Sequence, residues 1–227
     1  MQIFEVCESK VSREAGSISP AFAAARAAVA AGELIVLPTD TVYGIGCDPL
    51  NREAVTRLLT AKGRGRDKPS PVLISSLDDA RRLTVGIPPV AEQLAAEFWP
   101  GALTIVLPAR PEIGWDLGET GGTVALRMPD NEIALELLRE CGPLAVTSAN
   151  LTGQPPARTA AEAQAQLGEK VAVYLDGGSV RGGVPSTIVR VNTSRPAAGA
   201  PQLEILRHGA IADAEIGRFG SLAAPAQ

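Results

Sequence analysis

Short apolar runs alternate along this chain with longer stretches in which apolar side chains recur every three to four residues. The first pattern is typical of strands buried on both faces, and the second of amphipathic helices. The runs predict strands over residues 34–37, 72–75, 103–107, 123–127, 144–146, 171–175, 188–191 and 203–207. The helical periodicity predicts helices over 20–31, 52–62, 77–83, 88–99, 131–141, 160–168 and 211–216. Ser19, Asn51, Ser76, Asp130 and Thr159 are the predicted N-caps.

The order of these elements predicts an α/β (α+β) fold of three layers, with a sheet between flanking helices. The connection between the strands at 171–175 and 188–191 is too short and too rich in glycine for a crossover helix. We therefore expect a mixed parallel and antiparallel sheet. Residues 110–122 predict an irregular surface loop, 192–201 a turn region and 220–227 a frayed tail.

Composition narrows the class of protein without identifying a reaction. With 227 residues, 45% of them hydrophobic and 20% charged, the chain predicts an ordinary globular protein. A net charge of −4 speaks against bulk affinity for nucleic acid, although a local basic cleft is compatible with it. Three scattered cysteines without a CxxC pair predict neither a disulfide framework nor a thiolate zinc site. No apolar run approaches the roughly 20 residues of a membrane span, so we expect a soluble cytoplasmic protein.

Polar side chains follow several predicted strands at the point where each strand ends. Thr39, Asp40 and Thr41 come after the strand at 34–37, residues 147–150 after the strand at 144–146, and residues 186–187 lead into the strand at 188–191. In open α/β sheets ligands bind at such strand ends, and we expect Gly44 and Gly46 to let the backbone approach one. The alternative for the first cluster is a polar surface loop without chemistry.

The segment KGRGRDKPSP (62–71) places Lys62, Arg64, Arg66 and Lys68 among glycines and prolines that interrupt regular structure. One interpretation is a solvated basic loop. The other is a phosphate site, because the loop follows the helix that leads out of the polar turn and can fold back over the same strand end. Together with Arg127 and Arg207, these cations and the hydroxyls predict one cleft for anionic ligands.

The usual sources of a protein nucleophile are missing from the sequence. There is one histidine, His208, which excludes paired-histidine mechanisms, and no Ser-His-Asp, Cys-His or two-carboxylate arrangement can be assembled. A GxxxxGK[ST] phosphate loop, a GxGxxG fingerprint and an HExxH motif are also absent. If the protein is an enzyme, its substrates can supply the nucleophile.

Five motifs in order carry a family resemblance: PTDTVYGIG (38–46), AKGRGRDKP (61–69), TVALRMP (123–129), TSANLTG (147–153) and PSTIVR (185–190). They resemble the YrdC-like threonylcarbamoyl-AMP synthases in their single-domain form. The resemblance implies a twisted mixed sheet with a large concave cleft. It divides the chain into an N-terminal extension or first strand (1–16), a YrdC-like catalytic domain (17–211) and a short C-terminal helix and tail (212–227).

The implied reaction is the synthesis of L-threonylcarbamoyl-AMP from L-threonine, bicarbonate or carbon dioxide, and ATP, with release of pyrophosphate. The resemblance implies that L-threonine contacts Thr41, Arg127, Ser186 and the backbone near Val146. It implies ATP contacts from Lys62, Arg64, Lys68, Thr123, Ser148, Asn150 and Arg207, with Lys62 and Arg64 as the catalytic pair. For each of these residues the alternative is a capping or turn-forming role, which we favour for Thr123 and Asn150.

The same resemblance implies Mg²⁺ bound with ATP, no tightly bound organic cofactor and no protein metal ligand. The product would pass to a tRNA-modifying transferase complex that acts next to the anticodon, and direct tRNA binding would be weak or absent. The chain departs from the family pattern at Gly65, where proline is usual, at Pro156, where serine is common, and at His208. The alternative function is an RNA-binding module that uses the cationic cleft, which the acidic pI of about 5.2 disfavours.

Overall fold

The computed structural model describes residues 1–7, 19–180, 182–192 and 202–223. Within them lie eleven strands: β1 (Gln2–Glu5), β2 (Ile35–Leu37), β3 (Gly44–Cys47), β4 (Val72–Leu73), β5 (Leu103–Pro108), β6 (Thr123–Arg127), β7 (Leu144–Ser148), β8 (Val173–Asp176), β9 (Thr187–Asn192), β10 (Gln202–Arg207) and β11 (Ser221–Leu222). The helices of the same residues are α1 (Pro20–Ala30), α2 (Arg52–Lys62), α3 (Leu77–Leu83), α4 (Pro89–Phe98), α5 (Glu132–Cys141), α6 (Ala160–Leu167) and α7 (Asp213–Ile216). No helix among the described residues is long and apolar enough to cross a membrane.

All these strands form one sheet in the order β1-β8-β2-β3-β7-β4-β6-β5-β9-β10-β11. The β1·β8, β2·β8, β4·β6, β5·β9 and β10·β11 pairs are parallel, and the other five are antiparallel. The predicted mixed sheet is therefore confirmed. The reason given for it was wrong, because β8 and β9 are not neighbours, and the mixture arises from other pairs.

Helices cover both faces of the sheet. On β7, Leu144 and Val146 pack into one core cluster with α1 and α5, whereas Ala145 packs into a second cluster with α2 and α6. A third cluster joins α4 and α7 to β5, β9 and β10. The predicted arrangement of a sheet between helices is confirmed, and the alternation of side chains along each strand explains how one sheet serves cores on opposite faces.

Three of the five predicted helix caps are confirmed. Ser19 occupies the N-cap position of α1, but its side chain accepts no capping hydrogen bond. The side chains of Asn51, Ser76 and Thr159 each accept a hydrogen bond from the backbone N–H three residues later. The prediction for α5 was wrong by one residue: Asn131, not Asp130, accepts from the N–H of Ala134. The carboxylate or amide that satisfies the exposed N–H groups must sit at the N-cap itself, and Asn131 occupies that position.

The glycines after the polar turn lie in a strand and not in a loop. Gly44 and Gly46 belong to β3, which pairs with β2 and β7. A Cβ at Gly44 would lie 2.5 Å from Val146 Cγ1, and one at Gly46 would lie 2.8 Å from Val146 Cγ2. The two glycines therefore let Val146 pack flat against β3. Of the two, Gly44 also lines the cavity described below, so the expected approach of the backbone to a ligand site holds for Gly44 and not for Gly46.

Two segments predicted to be irregular are more ordered than expected. Ser221 and Leu222 form β11, which pairs in parallel with β10, so this part of the predicted frayed tail belongs to the sheet. Leu117, inside the predicted surface loop, is 1% exposed and packs into the core cluster of α2 and α6. The predicted turn over 193–201 and the tail residues 224–227 lie outside the described residues.

Candidate functional site

A cavity of about 590 Å³ opens where the polar turn after β2 meets β5, β6, β7, β9 and β10. One wall is formed by the basic loop 64–71 and by residues 117–120. Nine of the eleven residues assigned to L-threonine or ATP line this cavity: Thr41, Arg64, Lys68, Thr123, Arg127, Val146, Ser148, Ser186 and Arg207. The structure thus brings together the predicted threonine and nucleotide groups, except that Lys62 and Asn150 are not among the lining residues.

Arg127, at the end of β6, is held by all three of its nitrogens. Its Nη2 donates to Asp40 Oδ1 at 2.6 Å, its Nη1 to Thr41 Oγ1 at 2.9 Å and its Nε to the carbonyl oxygen of Gly101 at 2.9 Å. Burial lowers the pKa of this guanidinium, and Asp40 opposes that shift. A guanidinium has five N–H donors, so two remain to bind a carboxylate from the cavity.

The PTDT turn is built around the hydroxyl of Thr39. Thr39 Oγ1 donates to the carbonyl oxygen of Val42 at 2.6 Å and accepts from the N–H groups of Thr41 and Val42. This local network holds Thr41 with its hydroxyl beside Arg127. Asp40 was not assigned a role from the sequence, and its partner 87 positions away could not be read from it.

Arg207 and Ser186 form one unit on the other side of the cavity. Arg207 donates from Nε and Nη2 to the carbonyl oxygen of Ser186 at 3.0 and 2.6 Å, and from Nη2 to Ser186 Oγ at 2.9 Å. Ser186 Oγ also lies 2.8 Å from Thr104 Oγ1 of β5. Thr104 was missed by the sequence reasoning, and the available signal was a single hydroxyl inside an otherwise apolar strand.

Arg64 organises the basic loop. Its Nε donates to the carbonyl oxygen of Lys68 at 2.7 Å, and its Nη1 donates to Thr147 Oγ1 at 3.1 Å. The loop is therefore folded back over the end of β7, as the phosphate-site interpretation requires. A freely solvated loop would not bury Arg64 against Thr147, so the first alternative is not what the structure shows for this residue.

Lys62, the last residue of α2, is buried and points at a backbone turn. Its Nζ donates to the carbonyl oxygen of Ser148 and, at 2.5 Å, to that of Asn150. Asn150 in turn donates from Nδ2 to the carbonyl oxygens of Leu151 and Gln154, each at 2.8 Å. Burial, and then the charge of Arg64, lower the pKa of the Lys62 ammonium from 10.5 to about 8. In this structure Lys62 and Asn150 shape the turn that presents Ser148 to the cavity.

The segment 116–120 is attached to the basic loop. Asp116 forms an ion pair with Arg66, and this hydrogen bond is the main cause of the lowered pKa of the Asp116 carboxyl. The N–H of Glu119 donates to the carbonyl oxygen of Arg66 at 2.8 Å, and the N–H of Ser70 donates to that of Leu117 at 3.3 Å. Arg66 thus helps to hold the two loops of the cavity wall together.

The charges of the cavity favour anions. Burial, and then the charges of Arg127 and Arg64, lower the pKa of Arg207 to about 10. Of these three guanidiniums only Arg127 has a carboxylate within ion-pair distance in the described part of the chain. Because three cations repel one another in a partly buried space, a bound phosphate or carboxylate relieves that repulsion.

The carboxylates of the cavity are Asp67 and Glu119, both on the wall formed by the two loops. No group of three or more possible metal-ligating side chains occurs among the described residues. Two carboxylate oxygens together with substrate phosphates are a donor set that suits Mg²⁺, which keeps several waters and is seldom held by protein alone.

Comparison with known proteins adds three findings. The family model Sua5/YciO/YrdC, described as "Telomere recombination", matches residues 27–209. A protein of Mycobacterium tuberculosis (strain ATCC 25618 / H37Rv), provisionally named a threonylcarbamoyl-AMP synthase, is 48% identical over 190 residues, which cover 84% of this chain and 85% of that protein. The threonylcarbamoyl-AMP synthase of Bacillus subtilis (strain 168) is 40% identical over 182 residues, covering 79% of this chain and 52% of that protein.

Among solved structures, Sua5 of Pyrococcus abyssi in complex with L-threonine is similar to this chain with a TM-score of 0.82 and 33% identity. The match covers 98% of this chain and 63% of the archaeal one, so the similarity extends over the whole fold described above. The chain spans about half to two thirds of the length of the Bacillus and Pyrococcus proteins.

Proposed function

We propose, from the premise that this chain belongs to the Sua5/YciO/YrdC family, that it is a threonylcarbamoyl-AMP synthase. It joins L-threonine, carbon dioxide or bicarbonate, and ATP, and releases pyrophosphate. The observation that carries the proposal is the row of three guanidiniums, Arg64, Arg127 and Arg207, along one cavity that also presents neutral hydroxyls. Such a cavity suits an amino acid carboxylate at one end and a nucleotide phosphate chain at the other.

The substrates supply both nucleophiles. The neutral amino group of threonine attacks carbon dioxide, forming a C–N bond and losing a proton, to give a carbamate. A carbamate oxygen then attacks the α-phosphorus of ATP, forming a P–O bond as the bond to the β-phosphate oxygen breaks and pyrophosphate leaves. The protein contributes position and charge, which is how phosphoryl-type transfers are generally assisted.

The threonine side of the site comprises Arg127, Thr41, Ser186 and Val146. The two remaining N–H groups of Arg127 bind the carboxylate, a task suited to a planar guanidinium. Thr41 and Ser186 add hydroxyls on either side, and Val146 borders the pocket from β7. The presence of an amino acid site is supported by the Pyrococcus relative, whose structure was solved with L-threonine.

The nucleotide side comprises Arg64, Lys68, Thr123 and Ser148, which line the cavity near the basic loop. The charges of Arg127 and Arg64 both lower the pKa of Arg207, so the three guanidiniums lie near one another. We therefore place Arg207 where the two substrates meet. We assign Lys62 and Asn150 to the support of Ser148, and direct contact of Lys62 with the triphosphate, as a member of a catalytic pair with Arg64, stays a prediction.

A magnesium ion arriving with ATP would neutralise charge on the phosphates and on the departing pyrophosphate, with Asp67 and Glu119 as the carboxylates available to it. The reaction as written above needs no organic cofactor. The protein acts in the cytoplasm, where its free cysteines stay reduced. Its product passes to a separate transferase that modifies tRNA, so this chain itself needs little or no contact with tRNA.

The deciding experiment measures pyrophosphate release from ATP in bicarbonate buffer with and without L-threonine. We expect release from the wild type to depend on threonine, and Arg64→Ala to lose at least about ten-fold in rate because a charge-assisted contact is removed. Arg218→Ala is the matched control, since Arg218 is exposed and remote from the cavity lining. Release that ignores threonine, together with salt-dependent RNA binding, would favour the RNA-binding module instead.

A further inference from the structure

The hydroxyl of Thr104 lies in an unusual place for a polar group. Strand β5 reads LTIVLP, and its first five residues are buried. Leu103, Ile105 and Leu107 pack into a core cluster, whereas Thr104 and Val106 are on the cavity side. Thr104 is 1% exposed, so its hydroxyl carries a desolvation cost unless it is hydrogen-bonded. Valine has nearly the same shape without that cost and stands two residues further on.

The partner of this hydroxyl is Ser186 Oγ, at 2.8 Å. The two residues are 82 positions apart and meet because β5 pairs in parallel with β9, in register from Leu103 opposite Thr187. The N–H of Thr187 also donates to the carbonyl oxygen of Ala102 at 3.0 Å, which fixes the backbone just beyond Ser186. The distance between the two hydroxyls is therefore determined by the pairing of β5 with β9 and not by the conformation of a loop.

The direction of this hydrogen bond follows from counting donors and acceptors. A hydroxyl has one proton and two acceptor positions. Ser186 Oγ already accepts from Arg207 Nη2 at 2.9 Å. Among the described residues Thr104 Oγ1 has no other partner, so its buried proton would be unpaired if Ser186 were the donor. An unpaired buried donor costs about 1–3 kcal/mol, so Thr104 donates to Ser186.

With both acceptor positions of Ser186 Oγ filled, its own proton is left for the cavity. Ser186 can then act only as a donor toward a ligand. A carboxylate accepts hydrogen bonds and donates none, so it is the complementary group. A hydrogen-bonded neighbour on each side also restricts the rotation of the Ser186 side chain, which reduces the entropy lost when the ligand binds.

We propose that Thr104 is a positioning residue for the amino acid substrate, which makes Ser186 a fixed hydrogen-bond donor to the carboxylate of L-threonine. This inference rests on the proposed function. It also gives Arg207 a second role, because three hydrogen bonds from Arg207 go to Ser186. One of them occupies an acceptor position of Ser186 Oγ, and Thr104 occupies the other. Thr104 acts through Ser186 and does not itself need to touch the substrate.

The test compares Thr104→Val, which removes only the hydroxyl, with Thr104→Ser, which keeps it. Pyrophosphate release is measured against threonine and ATP concentration separately. We expect Thr104→Val to raise the KM for threonine about ten-fold, the effect of one hydrogen bond to a charged group, with the KM for ATP changed less than about two-fold. Thr104→Ser should restore the KM for threonine to within about three-fold of wild type.

Thr84→Val is the matched control. Thr84 is also fully buried, donates to the carbonyl oxygen of Ala80 at 2.8 Å and does not line the cavity. It should leave both KM values unchanged. In a Ser186→Ala background, Thr104→Val should have no further effect on the KM for threonine, because the residue through which it acts has gone.

The outcomes separate the two proposals. Wild-type protein without threonine-dependent pyrophosphate release contradicts the proposed function itself. An active wild type in which Thr104→Val behaves like Thr84→Val overturns the role of Thr104. An equal rise in the KM for threonine and ATP, or an effect that persists undiminished in the Ser186→Ala background, indicates general packing and likewise overturns it.

Discussion

Arg127 shows how one residue depends on contacts that are distant in sequence. The ion pair with Asp40 and the bonds to Thr41 and Gly101 fix the guanidinium before any ligand arrives. A pre-positioned guanidinium loses little entropy when it binds a carboxylate. Its position in the cavity is therefore as important as its charge.

Replacing Arg127 with lysine keeps the charge beside Asp40 but removes the planar fork. We expect Arg127→Lys to raise the KM for threonine at least about ten-fold, the effect of losing one charge-assisted hydrogen bond, and the KM for ATP less than about three-fold. Arg64→Lys, the matched change on the nucleotide side, should show the reverse preference. Steady-state kinetics of pyrophosphate release measure both. Equal losses for the two substrates would contradict the assignment of Arg127 to the carboxylate.

We expect Lys62 to make the activity depend on pH. Its pKa of about 8 means that the ammonium loses its proton and one N–H donor in mildly alkaline solution. We expect the KM for ATP to rise from about pH 7 to about pH 9, because the turn bearing Ser148 loses its charged support. Lys62→Met, which has no proton to lose, should be less active but should lack this rise. The change of carbon dioxide supply with pH is common to both proteins and cancels in the comparison.

Loss of stability would not explain that pH profile. The unfolded chain holds the Lys62 proton up to about pH 10.5, so between 8 and 10.5 it binds more protons than the folded protein. For this group alone, the free energy of unfolding therefore rises with pH across that interval. An unfolding transition that shifts to lower temperature in step with the activity would contradict this account.

At the scale of elements, β3 is a strand that the sequence analysis did not predict. Glycine is disfavoured in strands because it adds no packing and costs entropy, so the residues GIG after a turn carry no strand signal. In the fold, the side chain of Val146 occupies the space where a Cβ would lie. Gly44 and Gly46 are required because Val146 of β7 packs against them. The residues next to the glycines in the sequence do not reveal this contact.

Gly46→Ala tests this contact. Its Cβ would approach Val146 Cγ2 at 2.8 Å and the carbonyl oxygen of Ala145 at 3.2 Å, so we expect a loss of about 1–3 kcal/mol in the free energy of unfolding. Gly86→Ala is the control, since nothing lies within 4 Å of its Cβ position. Urea denaturation measures both. Adding Val146→Ala should recover part of the loss, and a strictly additive double variant would contradict the proposed clash.

The two loops of the cavity wall, unlike β3, have the irregular structure that their sequences predict. Their joint order comes from Arg66 with Asp116 and from Leu117, which is buried in the core. Mutual contacts between two irregular segments leave no periodic pattern in either sequence.

At the scale of the whole molecule, net charge and local charge differ. The chain carries −4 overall, yet the cavity is lined by five cations and two carboxylates. A cationic space closed by protein walls favours small anions, whereas RNA binding requires an extended basic surface.

Ligand stabilisation tests this distinction. A nonhydrolysable ATP analogue at about 100 times its dissociation constant should stabilise the protein by about 2.7 kcal/mol. For a chain of this size that corresponds to a rise of about 5–10 °C in the melting temperature. An RNA oligonucleotide at about 150 mM salt should leave the melting temperature unchanged. A shift with RNA that falls steeply with added salt would contradict the small-molecule site.

Local patterns in the sequence were sufficient to predict most of the elements and to identify most of the chemical groups of the site. Apolar periodicity identified most of the helices and strands, because each is decided by residues within a few positions of one another. The motifs marked the anion-binding residues, because hydroxyls and cations at strand ends are a local feature of the chain. The apolar runs did not identify three strands, β1, β3 and β11, although the family resemblance allowed a first strand within residues 1–16.

The strand order and the pairing of residues within the site depend on tertiary contacts and could not be predicted from local patterns. Asp40 with Arg127, Ser186 with Arg207, and the role of Thr104 depend on which strands are neighbours. So does the direction of Lys62, whose backbone acceptors at Ser148 and Asn150 lie 86 and 88 residues away. A local pattern reports whether a residue is buried, but the identity of its partner depends on how distant segments pack against each other.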